Sequence, residues 1–96
     1  MKPSASLALK KNAVRETALR FHTVNPRIFG AIVHENDEEG SDLDLLVDPL
    51  PGITLFDLGG LQVELACLLG VPIDVLTPGA MPIKFRAQVL AEARTV

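Results

Sequence analysis

A single cysteine, Cys67, is all this 96-residue chain carries, which excludes an internal disulfide and any zinc site built on several thiolates. Its place in an apolar run of helical period predicts a core position. No stretch of eighteen apolar residues occurs, so no membrane-spanning helix is expected. The first residues also lack the apolar block of a signal peptide, which makes the cytoplasm the expected location. A basic surplus is missing too. Nine Lys and Arg against twelve Asp and Glu leave a net charge of −3, and hence no electrostatic basis for direct nucleic-acid binding. There is no internal repeat, low-complexity tract or Gly/Ser-rich linker. The length supports one small core, so residues 1–96 are expected to be a single domain with no room for a second one that binds a substrate.

What is there alternates between helical and extended patterns. Leu7, Val14, Ala18 and Phe21 predict a helix over 6–21, with Ser4 or Ser6 as cap and Lys10, Lys11, Arg15 and Arg20 as a basic side. That side reads as a solvated face, or else as an attraction for nucleotide phosphates or an acidic partner. Pro26 blocks continuation, and 27–30 should be the first strand. A second strand should run to Val47. Thr54 and Asp57 form the pattern of a capping box opening a helix to Leu69, with Leu58, Leu61, Leu65, Leu68 and Leu69 as its buried stripe and Gly70 as its left-handed end. Gly59 and Gly60 weaken that helix, which suggests a close neighbouring backbone. Residues 71–76 form the third strand, and Pro82 starts a last helix with Ile83, Val89, Leu90 and Ala93 on its inner side. The alternation predicts a small α/β domain, a mixed sheet with helices packed on it.

Chemistry concentrates in residues 28–47. An apolar strand runs into Gly30, a polar loop follows, and Asp42 and Asp44 head the next strand. Side chains alternate along a strand, so these two carboxylates share one face while Leu43, Leu45 and Val47 share the other. Like charges a few ångströms apart repel. A divalent cation removes the conflict, and Mg²⁺ takes one or two carboxylates plus substrate phosphates. The competing reading is a solvated acidic strand end, which accounts well for Glu35, Asp37, Glu38 and Glu39 nearby. Asp74 is the other oddity, a carboxylate in an apolar strand. Buried acids are costly and cluster at functional sites.

Gly30 and Ala31, then the ten residues 32–41, then Asp42-Leu43-Asp44 reproduce the spacing of a known motif. The stretch resembles the signature of the minimal nucleotidyltransferase family of the DNA polymerase beta superfamily, where Gly-Ser is followed by ten residues and Asp-x-Asp. Ile28-Phe29 before the glycine, Ser41 before the first aspartate and Leu45-Leu46-Val47 after the second also fit. The fixed-length match, tied to a strand, turn and strand context, makes this pattern specific. Ile73-Asp74-Val75-Leu76 resembles the family's later strand that carries a third metal-binding carboxylate. The resemblance covers nearly the whole chain, with these two regions as its specific parts.

This resemblance implies a polymerase-beta-like nucleotidyltransferase fold. It implies Asp42, Asp44 and Asp74 as catalytic residues and ligands of Mg²⁺, two ions being usual. Gly30, Ala31 and Ser41 would be nucleotide contacts, with backbone N–H groups after the glycine, in a short helical turn through Val33, cradling a triphosphate. It also implies kinship with MntA-like antitoxins, which transfer AMP from ATP to a tyrosine of a HEPN RNase toxin. This chain has no tyrosine, so such an acceptor belongs to another protein; a homo-oligomer is also compatible. Two positions depart from the pattern. Ala31 replaces the usual serine and lacks a hydroxyl, a hydrogen bond contributing about 0.5–1.5 kcal/mol. His34 stands where an arginine is frequent, and its ring is largely neutral at pH 7. Both departures raise the alternative of an antitoxin that neutralises its partner by binding alone.

Overall fold

The computed structural model describes residues 2–30 and 42–96. In chain order these are α1 (Pro3–Leu9), α2 (Lys11–Arg20), β1 (Thr23–Phe29), β2 (Leu43–Pro49), α3 (Leu55–Leu69), β3 (Ile73–Leu76), a 3-10 turn (Pro78–Ala80), α4 (Ile83–Glu92) and β4 (Arg94–Thr95). The strands form one sheet in the order β3-β2-β1-β4. β1 is antiparallel to both β2 and β4, while β2 and β3 run parallel, so the sheet is mixed. Among the described residues no helix is long and apolar enough to cross a membrane.

The core lies between α1–α3 and one face of the sheet. Leu43, Leu45 and Val47 present the inward side of β2, and all three are fully buried with Val14, Ala18, Leu61 and Leu65. The expected single helix over 6–21 is instead two. Pro3, at the first helical turn where a missing N–H costs nothing, starts α1 ahead of Ser4 and Ser6. At Lys10 the backbone leaves helical geometry (φ −129°, ψ 26°). The bend lets α1 bury Leu7 beside α3 while α2 buries Val14 and Ala18 against β1.

β1 starts earlier than expected and contains Pro26. The pairing with β2 slips between Val24 and Arg27, where Asn25 takes φ 54°. A bulge is where a strand tolerates a residue without an N–H, and the Pro26 carbonyl still accepts from the Val96 N–H at 3.0 Å. α3 follows its sequence closely. Thr54 Oγ1 accepts from the Asp57 N–H, Asp57 Oδ2 accepts from the Thr54 N–H at 3.0 Å, and Gly70 (φ 71°) ends the helix. Among the described residues, no backbone atom is among the nearest neighbours of a side chain at Gly59 or Gly60. The Phe21 ring occupies the space a side chain on Gly60 would need, and Gly59 faces open space.

Two further expectations fail on the same geometry. Cys67 is exposed, because the buried stripe of α3 runs through Leu61, Leu65 and Leu69 and position 67 falls on the opposite side. None of α4 is fully buried: of its expected inner side Ile83 is 82% exposed and Leu90 exposed, while Val89 and the cap residue Ala93 are only half-buried. The core is already closed by α1–α3, so α4 lies at the periphery and joins the sheet through β4.

Candidate active site

Parallel pairing of β2 and β3 sets Asp44 level with Asp74, and antiparallel pairing of β1 and β2 sets Phe29 level with Asp44. One row across the sheet therefore reads Phe29, Asp44, Asp74, on the face away from the core helices. Asp42, two positions before Asp44, belongs to that face as well. Its neighbour Leu43 donates its N–H to the Pro72 carbonyl at 2.9 Å, which ties the entry of β2 to the entry of β3. Local sequence thus gives each strand, and the register brings the three carboxylates to the same end of the sheet.

Asp42 and Asp74 are exposed and Asp44 is half-buried. The exposure of Asp74 corrects the expectation of a buried acid. β3 is an edge strand, and its side chain on this face meets solvent even though its neighbours in sequence are apolar. The Asp44 carboxyl is pushed above the ordinary carboxylate range, first by its own burial and then by the negative charges of Asp74 and Asp42. Among the described residues no Lys, Arg or His is paired with any of the three. The cation nearest along β1, Arg27, bonds Asp48 instead, and Asn25 donates to the other oxygen of that carboxylate at 3.0 Å.

Gly30 stands against this cluster. Its backbone has φ 76°, and a Cβ there would fall 2.5 Å from Asp44 Oδ2. The bare glycine thus leaves room for the carboxylate as well as for the turn. Ala31, Ser41, His34 and the helical turn through Val33 lie outside the described residues. Sequence reasoning gave Phe29 no part in the site and did not foresee the Gly30–Asp44 approach. Both depend on the β1–β2 register, for which the only local signal was the Asn25-Pro26 bulge.

The donors are all hard carboxylate oxygens, the type Mg²⁺ prefers, and the strain on Asp44 is what a bound cation relieves. Among the described residues, however, no three His, Cys, Asp or Glu side chains already form a metal cage. The fit is to an ion that takes part of its shell from substrate phosphates and water.

No family model matches the chain. A Methanocaldococcus jannaschii protein assigned as a protein adenylyltransferase, MJ0435, is 38% identical over 66 residues, covering 69% of this chain and 71% of the relative. A solved structure assigned as a minimal nucleotidyltransferase superposes with a TM-score of 0.83 at 33% identity, over 97% of this chain and 93% of that one. The fold also matches a toxin-antitoxin structure with AMP-PNP, with a TM-score of 0.67 at 15% identity over 84% of this chain and 70% of that one. At that identity the likeness shows the fold alone.

Proposed function

Since this chain belongs to the minimal nucleotidyltransferase family, we propose that it transfers AMP from ATP to a hydroxyl of a partner protein and acts as the antitoxin of a toxin-antitoxin pair. The observation that carries this reading is the convergence of Asp42, Asp44 and Asp74 beside Gly30, with the charge of Asp44 opposed by its neighbours. The relative assigned as a protein adenylyltransferase supports ATP and a protein acceptor. The family resemblance in the sequence supports a HEPN RNase as the toxin and its tyrosine as the acceptor. It also supports two Mg²⁺ ions.

Asp42 and Asp44 would hold the metal against the triphosphate, and Asp74 would complete the set on the acceptor side. Bound Mg²⁺ supplies neutralisation of phosphate charge and a lower pKa for the acceptor hydroxyl. Asp74, exposed on the edge strand, orients that hydroxyl. Its oxygen attacks the α-phosphorus, the bond to pyrophosphate breaks, and a carboxylate oxygen of Asp74 takes the hydroxyl proton. Gly30 keeps Asp44 seated, so the cluster is positioned before substrate arrives.

Incubation with labelled ATP, Mg²⁺ and the protein encoded beside this chain tests the reading. Label should move to that partner, and Asp42→Ala with Asp44→Ala should abolish it. Ala31, which lacks the hydroxyl of the usual serine, favours a second reading. A stable complex that neutralises the toxin without labelling, and survives the double substitution, would mean that the chain works by binding alone. Under the first reading Ala31→Ser raises the rate of transfer.

A further inference from the structure

The break between α1 and α2 opens a groove of about 620 Å³ that the catalytic reading does not use. Its lining sets the apolar Ala8, Leu9 and Leu68 beside the cationic Lys10, Lys11 and Arg15. Leu9 is 73% exposed. Among the described residues, no Asp or Glu side chain pairs with any of these three cations. Lys10 Nζ donates to the Leu68 carbonyl at 2.6 Å, and Arg15 divides its guanidinium between the Val96 backbone oxygen and Asn12 Oδ1. In a chain of net charge −3, this is a local positive surface that includes apolar side chains.

Its position gives it a use. Leu68 lies in the last turn of α3, and the chain then passes through Gly70 and Pro72 directly into β3 and Asp74. The groove, on the helix layer, and the three carboxylates, on the opposite face of the sheet, are therefore joined by a short connection from α3 into β3. We propose that this groove docks an acidic, leucine-type apolar segment of the acceptor protein, holding it while its hydroxyl reaches the carboxylate cluster. The proposal rests on the protein-acceptor reading above. A compact anion such as phosphate is the poorer match, because the lining is partly apolar and Lys10 and Arg15 already donate to backbone oxygens. An extended segment can set apolar side chains against Ala8, Leu9 and Leu68 and carboxylates beside the three cations.

The test uses the full chain and two fluorescein-labelled peptides, one alternating Glu and Leu and one alternating Lys and Leu, read by fluorescence anisotropy. The acidic peptide should bind and the basic one should not. Lys11→Glu, at a residue that makes no side-chain bond among the described residues, should weaken the acidic peptide by roughly three- to tenfold, and added salt should do the same. MgATP affinity, measured in parallel, should be unchanged by Lys11→Glu. Equal binding of both peptides, binding of neither, indifference to Lys11→Glu, or displacement of the acidic peptide by pyrophosphate alone would each overturn the docking proposal. Failure of the unsubstituted chain to bind MgATP would instead count against the adenylyltransferase reading, and the peptide result would still be readable.

Discussion

Substituting Gly30 with alanine separates two penalties that coincide at one residue. Gly30, Gly52 and Gly70 all adopt left-handed backbone (φ 76°, 87° and 71°), but only at Gly30 does an added Cβ meet another atom, Asp44 Oδ2 at 2.5 Å. Left-handed backbone costs a non-glycine residue about 1–2 kcal/mol, and this cost should appear alike in Gly30→Ala and Gly52→Ala. Moving the Asp44 carboxylate off its rotamer adds about 0.5–1.5 kcal/mol, and it should appear in Gly30→Ala alone. For a domain of this size each kcal/mol is worth about 4–8 °C in Tm. Gly30→Ala should thus melt several degrees below Gly52→Ala. The excess should vanish in an Asp44→Ala background, where the nearest remaining atom of residue 44 is Cβ at 3.8 Å, an ordinary contact. Nucleotide transfer should fall by about 10²-fold in Gly30→Ala, the scale expected when a reacting group is displaced by about an ångström, and stay close to normal in Gly52→Ala. Equal melting of the two variants, or an excess that persists without the Asp44 carboxylate, would refute the close approach as the reason for this glycine.

Asp44→Asn should raise the metal-free Tm at neutral pH while removing Mg²⁺-dependent stabilisation and transfer. The sign follows from the raised folded-state pKa. Stability linked to Asp44 is present at low pH and lost as pH rises through that pKa, and the amide removes this loss. Differential scanning fluorimetry from about pH 4 to 8 reads it directly, and a lower Tm for Asp44→Asn would reverse the argument. At Asp57 the sign is opposite. The Thr54 backbone N–H, and after it His22, hold this carboxyl below the ordinary range, so its contribution is present above the unfolded pKa and fades as pH falls through the folded one. Thr54→Ala should cost about 1 kcal/mol through loss of the side-chain cap and leave most of the acid limb in place, because the backbone N–H that chiefly holds Asp57 down is retained. Gly59→Ala should stabilise by about 0.5–1 kcal/mol, since the site is open and alanine favours helix. Gly60→Ala should destabilise, because its Cβ would fall 2.6 Å from Phe21 Cε1 and overpacking costs about 1–3 kcal/mol. Urea titration of the pair separates the two, and stabilisation by both would remove Phe21 as the reason for Gly60.

Signals that lie within one turn or one strand were legible in the sequence. The capping box at Thr54 and Asp57, the left-handed stop at Gly70 and the leucine stripe of α3 all operate between residues a few positions apart, and the structure has them where the pattern put them. The same holds for the inward Leu43, Leu45 and Val47. The misreadings concern what lies across space. Lys10 breaks a helix that periodicity would continue, because α1 and α2 face different partners. Cys67 and the apolar residues of α4 look like core by composition, yet the core is filled by α1–α3 before they can join it.

Asp74 joins the candidate site for a different reason from the one its sequence suggested. The apolar run around it suggested burial, and burial suggested a functional acid, but the residue is exposed on an edge strand. What ties it to Asp44 is register. A slip of one residue in the β2–β3 pairing would set Val75 level with Asp44 and turn the carboxylate of residue 74 toward the core helices. The electrostatic cost of bringing three acids together is then concentrated on Asp44, the one flanked by strands on both sides and by the bare backbone of Gly30. The fold tolerates that cost because the hydrophobic face of the same strand, Leu43, Leu45 and Val47, is fully buried. Burial of each such side chain contributes about 1.5–3 kcal/mol. The strand that bears the candidate site is therefore held by Leu43, Leu45 and Val47 on one face and by Leu46 on the other, and this is why polar substitutions at Asp42, Asp44 and Asp74 should leave the fold intact while a charge at Leu45 should not.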